Sequence, residues 1–206
     1  NLLELSSQEG MAAPGFAGAI TAGFSPGGIM AVWALFVSYV FVANMASSAL
    51  ALEGGAFPLL KAAPVRPREV WSAKLWNLYW PSVALFTVVL MGSWFFVRYS
   101  LNWLPYALIA GLISELGLLA ISVSIGFRYA NLGWTDQRRM LTSGGGLVSL
   151  LLTVVYGLPS GIIVLLGFGL AFLWPSAAIP LAMVALLLLG LYTWGWFVVM
   201  RRWADS

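Results

Sequence analysis

The sequence predicts an all-α polytopic membrane protein, a helix bundle with about five transmembrane helices, and three observations carry that prediction. Of its 206 residues 61% are hydrophobic and only 8% charged, with a mean hydropathy of +0.93, whereas soluble domains carry about 25% charged residues. Five apolar runs each reach spanning length, since roughly 20 helical residues cross a hydrocarbon core of about 30 Å. The basic residues fall between alternate runs rather than being scattered.

Taken in order, residues 1–28 hold small residues, two prolines and several glycines, and are expected to form an extracytoplasmic surface segment. A single transmembrane domain, 29–203, follows. The first span is read at 29–52 and a polar elbow at 53–74. The second span, 75–97, has Trp71, Trp76, Tyr79 and Trp80 at one end, and Trp94, Tyr99, Trp103 and Tyr106 lie around the other. Such aromatic clusters match interfacial belts. The third span is read at 104–127. A loop, RYANLGWTDQRRMLTSGGG, precedes a fourth span at 147–172, in which Pro159 predicts a kink or a break into two half-helices. Whether 159–175 is re-entrant is left open by the sequence. The fifth span, 179–200, is closed by Arg201, Arg202 and Trp203.

The elbow is too polar to cross a bilayer and holds four of the ten basic residues. Gly54 and Gly55 let the preceding helix end. Pro58 can start a short amphipathic helix, with Phe57, Leu60 and Ala63 on one face, and Pro64 ends it. The residue before Pro67 is held extended, and Pro67 suits the first turn of the next helix.

Counting spans puts Lys61, Arg66, Arg68, Lys74, Arg128, Arg138, Arg139, Arg201 and Arg202 on one side and Arg98 alone on the other. The positive-inside rule makes the crowded side cytoplasmic. The expected location is therefore multi-pass in the plasma membrane, the inner membrane if the source is bacterial, with a cytoplasmic C-terminus and the lipid bilayer as its surroundings. Placed this way, the charge of +3 gives no reason to expect nucleic-acid binding.

The chain has no cysteine and no histidine. That removes zinc clusters, cysteine nucleophiles and serine-histidine triads, so no enzyme, catalytic residue, metal or cofactor is expected. Glu115 is the acidic residue deep in a span, where a carboxylate must be protonated, paired or facing water. Gly111, Glu115, Ser122 and Gly126 share one helical face. Glu115 and Ser122, with Asn44 and Ser48 of a small polar patch that also includes Ser47, are candidates for a transport route. Interhelical packing is the plainer reading of the same residues. The glycines at 144–146 read as a flexible entry to the fourth span.

The elbow text SSALALEGGAFPLLKAAPVRPREVWSAKLW resembles the permease subunits of type-2 ATP-binding-cassette exporters. The resemblance rests on Ser47, Ser48, Leu52, Glu53, Gly54, Phe57, Leu59, Leu60, Ala63, Pro64, Val65, Arg68, Lys74 and Leu75. The second polar loop adds Gly126, Tyr129, Trp134, Asp136, Arg138, Arg139, Gly144 and Gly145, although the family's proline after the loop aromatic is replaced here by Asn131 or its neighbours. The resemblance covers about residues 45–150. It implies that the elbow is a cytoplasmic coupling helix contacting a separate ATPase subunit through Glu53, Phe57, Pro64, Arg66, Pro67, Arg68 and Glu69, helped by Trp134, Asp136, Arg138 and Arg139. It implies a second permease half or a homodimer, and, because the family has six spans, a chain that is a C-terminal fragment. The expected function is the permease component of an exporter of unidentified substrate. A stand-alone carrier or channel using Glu115 and a non-transporting scaffold are the alternatives.

Overall fold

The computed structural model describes residues 26–49, 51, 66–97, 101–131, 141–142 and 144–205. They form five long helices: α1 (Pro26–Ser48), α2 (Pro67–Val97), α3 (Leu104–Tyr129), α4 (Gly145–Leu173) and α5 (Ala178–Asp205). Short 3-10 turns at Leu101–Trp103 and Pro175–Ala177 lead into α3 and α5. All five regions are long and apolar enough to cross a membrane. The short amphipathic helix expected within 53–65, the segment 1–25, and Trp134, Asp136, Arg138 and Arg139 lie outside the described residues.

Local chemistry sets the helix starts. Pro26 and Pro67 each occupy the first helical position, where a missing N–H costs nothing. At α2 the Glu69 side chain also reaches back to accept from the Arg66 backbone N–H at 3.3 Å, one half of a capping box. Residues 67–74, read as part of the elbow, are therefore the first two turns of α2. With 31 residues, α2 is about 46 Å long and exceeds the hydrocarbon core by several turns.

The helices run alternately up and down around α3. In α3, 72% of the spanning window is buried inside the bundle, against 17–35% in the other four. Around it α1 packs broadly on α2, and α4 on α5, while the α1–α4 and α2–α5 seams are narrow. One end of the bundle gathers Ser47, Trp71, Gly126, Tyr129, Gly145, Met200 and Trp203. The other gathers Ala31, Leu90, Tyr106, Phe168 and Ala185. Among the described residues every Lys and Arg belongs to the first end: Arg66, Arg68, Lys74, Arg128, Arg201 and Arg202.

Three expectations change on seeing the packing. The break at Pro159 does not occur, because α4 is one 29-residue helix whose second half continues to the Tyr106 end and is not re-entrant. A proline leaves the carbonyl four residues earlier without its helical donor. Here that is Val155 O, and it accepts from the Tyr192 hydroxyl of α5 at 3.0 Å. Secondly, Trp71 and Tyr106 are core residues rather than interfacial anchors, since each polar tip finds an internal partner: Trp71 Nε1 donates to Ser124 Oγ at 3.0 Å and Tyr106 to Val164 O at 3.0 Å. Trp76 and Trp80 of the same cluster do face outward. Thirdly, the glycine entry to α4 is built rather than loose. Gly144 has φ +98°, a left-handed conformation that suits glycine, and a Cβ on Gly145 would meet Tyr129 Cβ at 2.8 Å. An antiparallel bridge between Ala130 and Leu141, with Thr142 N donating to Tyr129 O at 2.8 Å, closes the base of the intervening loop.

Close approach to α3 depends on its glycines. A Cβ on Gly111 would fall within the Phe86 ring of α2, and one on Gly117 within the Tyr156 ring of α4. Gly157 and Gly161 of α4 meet nothing within 4 Å. Gly111→Ala and Gly117→Ala are therefore expected to cost about 1–3 kcal/mol through overpacking. Gly157→Ala and Gly161→Ala should leave the thermal unfolding midpoint in detergent unchanged or raised, and equal losses at all four positions would contradict this packing.

Candidate functional site

The polar groups of the interior converge on the midpoint of α3. Each surrounding helix brings a hydroxyl from near its own midpoint: Ser38 on α1, Tyr79 and Ser82 on α2, Tyr156 on α4 and Thr193 on α5. They meet α3 between Leu112 and Glu115, within little more than one turn.

Glu115 is 0% exposed. Its two carboxyl oxygens are taken by different helices. Ser82 Oγ of α2 donates to Oε2 at 2.6 Å, and Ser38 Oγ of α1 donates to Oε1. The Ser38 hydroxyl is shared with Leu35 O at 3.0 Å, so it serves its own helix and α3 at once. Tyr79 of α2 donates to Leu112 O at 3.2 Å. On the opposite side of α3, Tyr156 Oη lies 3.2 Å from Ser114 O and 2.8 Å from Thr193 Oγ1, which ties α4 and α5 to the axis together. The Tyr156 ring stacks on Tyr192 at 5.4 Å and nearly parallel. Ser114 Oγ is buried beside this group and has no hydrogen-bond partner among the described residues. Two turns of α3 nearer the basic end, Tyr39 Oη lies 3.2 Å from Ser122 Oγ and 2.6 Å from Thr153 Oγ1, joining α1 to both α3 and α4.

The route candidates separate accordingly. Glu115 and Ser122 both point from α3 toward α1, as their shared stripe with Gly111 and Gly126 requires; Gly126 admits the Ser47 carbonyl, which a Cβ would meet at 2.6 Å. Ser48 sits at the far end of α1 and turns its hydroxyl back toward Met45 O at 3.4 Å. Asn44 lies in α1, its side chain outside the described residues. Of the coupling candidates, Arg66, Pro67, Arg68 and Glu69 are all exposed at the start of α2, while Glu53, Phe57, Pro64, Trp134, Asp136, Arg138 and Arg139 lie outside the described residues.

Sequence reasoning missed Ser38, Tyr39, Ser82, Thr153, Tyr156 and Thr193, and it read Tyr79 as part of an interfacial belt although its hydroxyl serves Leu112 O inside the bundle. The available signal was depth: each is a hydroxyl inside an otherwise apolar run, where a hydroxyl needs an internal partner. Chemically the arrangement fastens helices rather than exposing a reactive group, because both Glu115 oxygens are engaged. Two grooves, of about 380 and 530 Å³, are lined by other residues: Ile29, Val32, Trp33, Phe36 and Leu165 in one, and Asn102, Tyr106, Ile109, Ala178 and Met183 among those of the other. No family model, curated protein or solved structure matches the chain.

Glutamine can replace Glu115 without leaving a partner unserved. Its carbonyl can accept from Ser82 while its amide donates to Ser38 Oγ, whose proton then stays on Leu35 O. Glu115→Gln should therefore keep the wild-type unfolding midpoint. Glu115→Leu should lose about 1–2 kcal/mol, the range for a buried hydrogen bond and for interhelical polar contacts in membranes. A leucine variant as stable as wild type, measured by thermal unfolding in the same detergent, would remove the fastening role.

Proposed function

We propose that the chain is the transmembrane permease component of an ATP-binding-cassette exporter, powered by a separate ATPase subunit and working with a second permease half or a second copy of itself. The observation that carries this reading is the polar, proline-bounded elbow between α1 and α2, with the residue pattern from Ser47 to Leu75 that resembles type-2 permeases. Its described portion supports a docking role. Arg66, Arg68 and Glu69 are exposed at the polar start of a helix longer than the hydrocarbon core is thick, a position that a soluble partner can reach.

The gathering of all described basic residues at one end supports a cytoplasmic placement for that end, and with it a cytoplasmic C-terminus. Enclosure of Glu115 favours this reading over a stand-alone carrier. A carrier needs its titrating or binding group open to a route, and both Glu115 oxygens are occupied by helix contacts.

Two experiments test the proposal. Because the chain lacks cysteine, single cysteines can be labelled in intact cells without background. Asn102 and Ser176 should react with an impermeant thiol reagent and Ser72 should not; outside labelling at Ser72 would reverse the orientation. Charge reversal at Arg66 and Arg68 to Glu should reduce co-purification of an ATP-binding-cassette ATPase, sought first among the products of adjacent genes, by tenfold or more while the chain stays inserted, since removing one member of a desolvated charge pair costs several kcal/mol. Undiminished co-purification and transport would refute the docking role.

A further inference from the structure

One groove on the bundle surface leads to a positive charge. It lies along α5, holds about 450 Å³ and is lined by Leu191, Tyr192, Gly195, Trp196 and Val199. Leu191 and Val199 are 70% and 56% exposed and Gly195 is exposed with them, so in a bilayer this face stands against acyl chains. One wall of the groove is set before anything enters it. Tyr192 donates to Val155 O of α4 at 3.0 Å and stacks on Tyr156, and Trp196 packs edge-on against both rings. The floor is Gly195, where a Cβ would meet nothing within 4 Å. Glycine is a poor helix former, and no described helix comes close enough here to require one.

Helical geometry carries the groove to the basic end. At about 3.6 residues per turn, Gly195, Val199 and Arg202 fall in one line along α5, with Arg202 roughly 4.5 Å beyond Val199. Arg202 is exposed. Beside it the Trp203 ring lies under the Arg128 guanidinium of α3, 5.8 Å from the centroid, so a second exposed cation stands at the same level. Arg201 sits about 100° round the helix from Arg202, off the line. The grooves of about 380 and 530 Å³ lie toward the other end, where none of the described basic residues stands. From this arrangement we propose that the α5 groove is a binding site for an anionic phospholipid, with one acyl chain over Gly195 along the Tyr192–Trp196 wall and the phosphate on Arg202, Arg128 adding positive charge beside it. The apolar groove by itself would take any lipid. The arginine at its mouth selects the headgroup, since one Lys or Arg near a membrane surface favours anionic lipid by about fivefold. The site shares no residue with the exposed start of α2 and stands whether or not the chain is a permease.

Because the chain lacks cysteine, a bimane fluorophore can be placed on a single introduced one. Leu188→Cys puts it on the line of Gly195 and Val199, and Trp194→Cys puts it on another outward face as a control; both positions are exposed. The full chain is reconstituted in phosphatidylcholine nanodiscs containing a small fraction of lipid brominated in its acyl chains, either phosphatidylglycerol or phosphatidylcholine. Brominated phosphatidylglycerol should quench the label at position 188 about fivefold more effectively than brominated phosphatidylcholine, and the label at position 194 equally. Arg202→Gln should bring the ratio at 188 below about twofold. Gly195→Leu should do the same, because it fills the groove while keeping both arginines, and Arg201→Gln should leave the ratio as it is. Equal quenching by the two lipids at 188 in the parent would overturn the site. An unchanged ratio in Gly195→Leu would also overturn it, leaving only general attraction of anionic lipid to the basic end. If neither lipid quenches the label at 188, protein covers this face and the lipid assignment is wrong.

Discussion

The constraint on which the structure depends is that a hydroxyl or carboxyl group inside a membrane protein has no water to turn to. Each of the four outer helices carries such a group near its midpoint, and α3 is where they are satisfied. Apolar packing alone gives helices in lipid little reason to choose one register over another, because lipid tails solvate leucine as well as a neighbouring helix does. A displacement of α1 by one turn, about 5.4 Å, would leave Ser38 beyond reach of Glu115 and Tyr39 beyond reach of Ser122 and Thr153. The polar belt therefore sets register and depth, while the alanines and glycines along α3 set how near the helices come.

This division of labour explains why α3 differs from its neighbours. Its residues from Ser114 to Gly126 are almost all buried, and serines and glycines stand among the leucines and isoleucines on every side. The outer helices do the opposite, turning Phe41, Trp80, Val88, Phe96, Leu158 and Leu187 outward, where an exposed apolar side chain in a bilayer is at home. A helix enclosed by protein can carry a carboxyl group that would be costly facing lipid.

The fold class, the five apolar helices and the gathering of the described basic residues at one end were legible in the sequence because each is a property of composition along the chain. Boundaries were less so. Residues 67–74 read as elbow because Arg68, Glu69 and Lys74 lower the local hydropathy, yet Pro67 and the Glu69 cap start a helix there regardless of polarity. Pro159 misled for a different reason. A break is one answer to a missing donor, and the sequence could not disclose that Tyr192, more than thirty residues later, supplies another. Trp71 was assigned by its position near a span end, whereas its burial follows from Ser124 and Phe197 on other helices.

The interior site was half legible. Glu115 and the stripe through Gly111, Ser122 and Gly126 identified the face of α3 that receives α1 and α2, since helical periodicity relates residues on one element. It says nothing of which residue on another element stands opposite, so Ser38 and Ser82 stayed ordinary serines until the bundle brought them to the carboxyl. The same limit applies to Tyr156, whose ring seats against Gly117 while its hydroxyl serves Ser114 and Thr193. What relates these residues is depth: Ser38, Ser82, Tyr156 and Thr193 each stand near the middle of their own helices, the level at which α3 carries Ser114 and Glu115, and a hydroxyl at that depth finds its partner only in another helix.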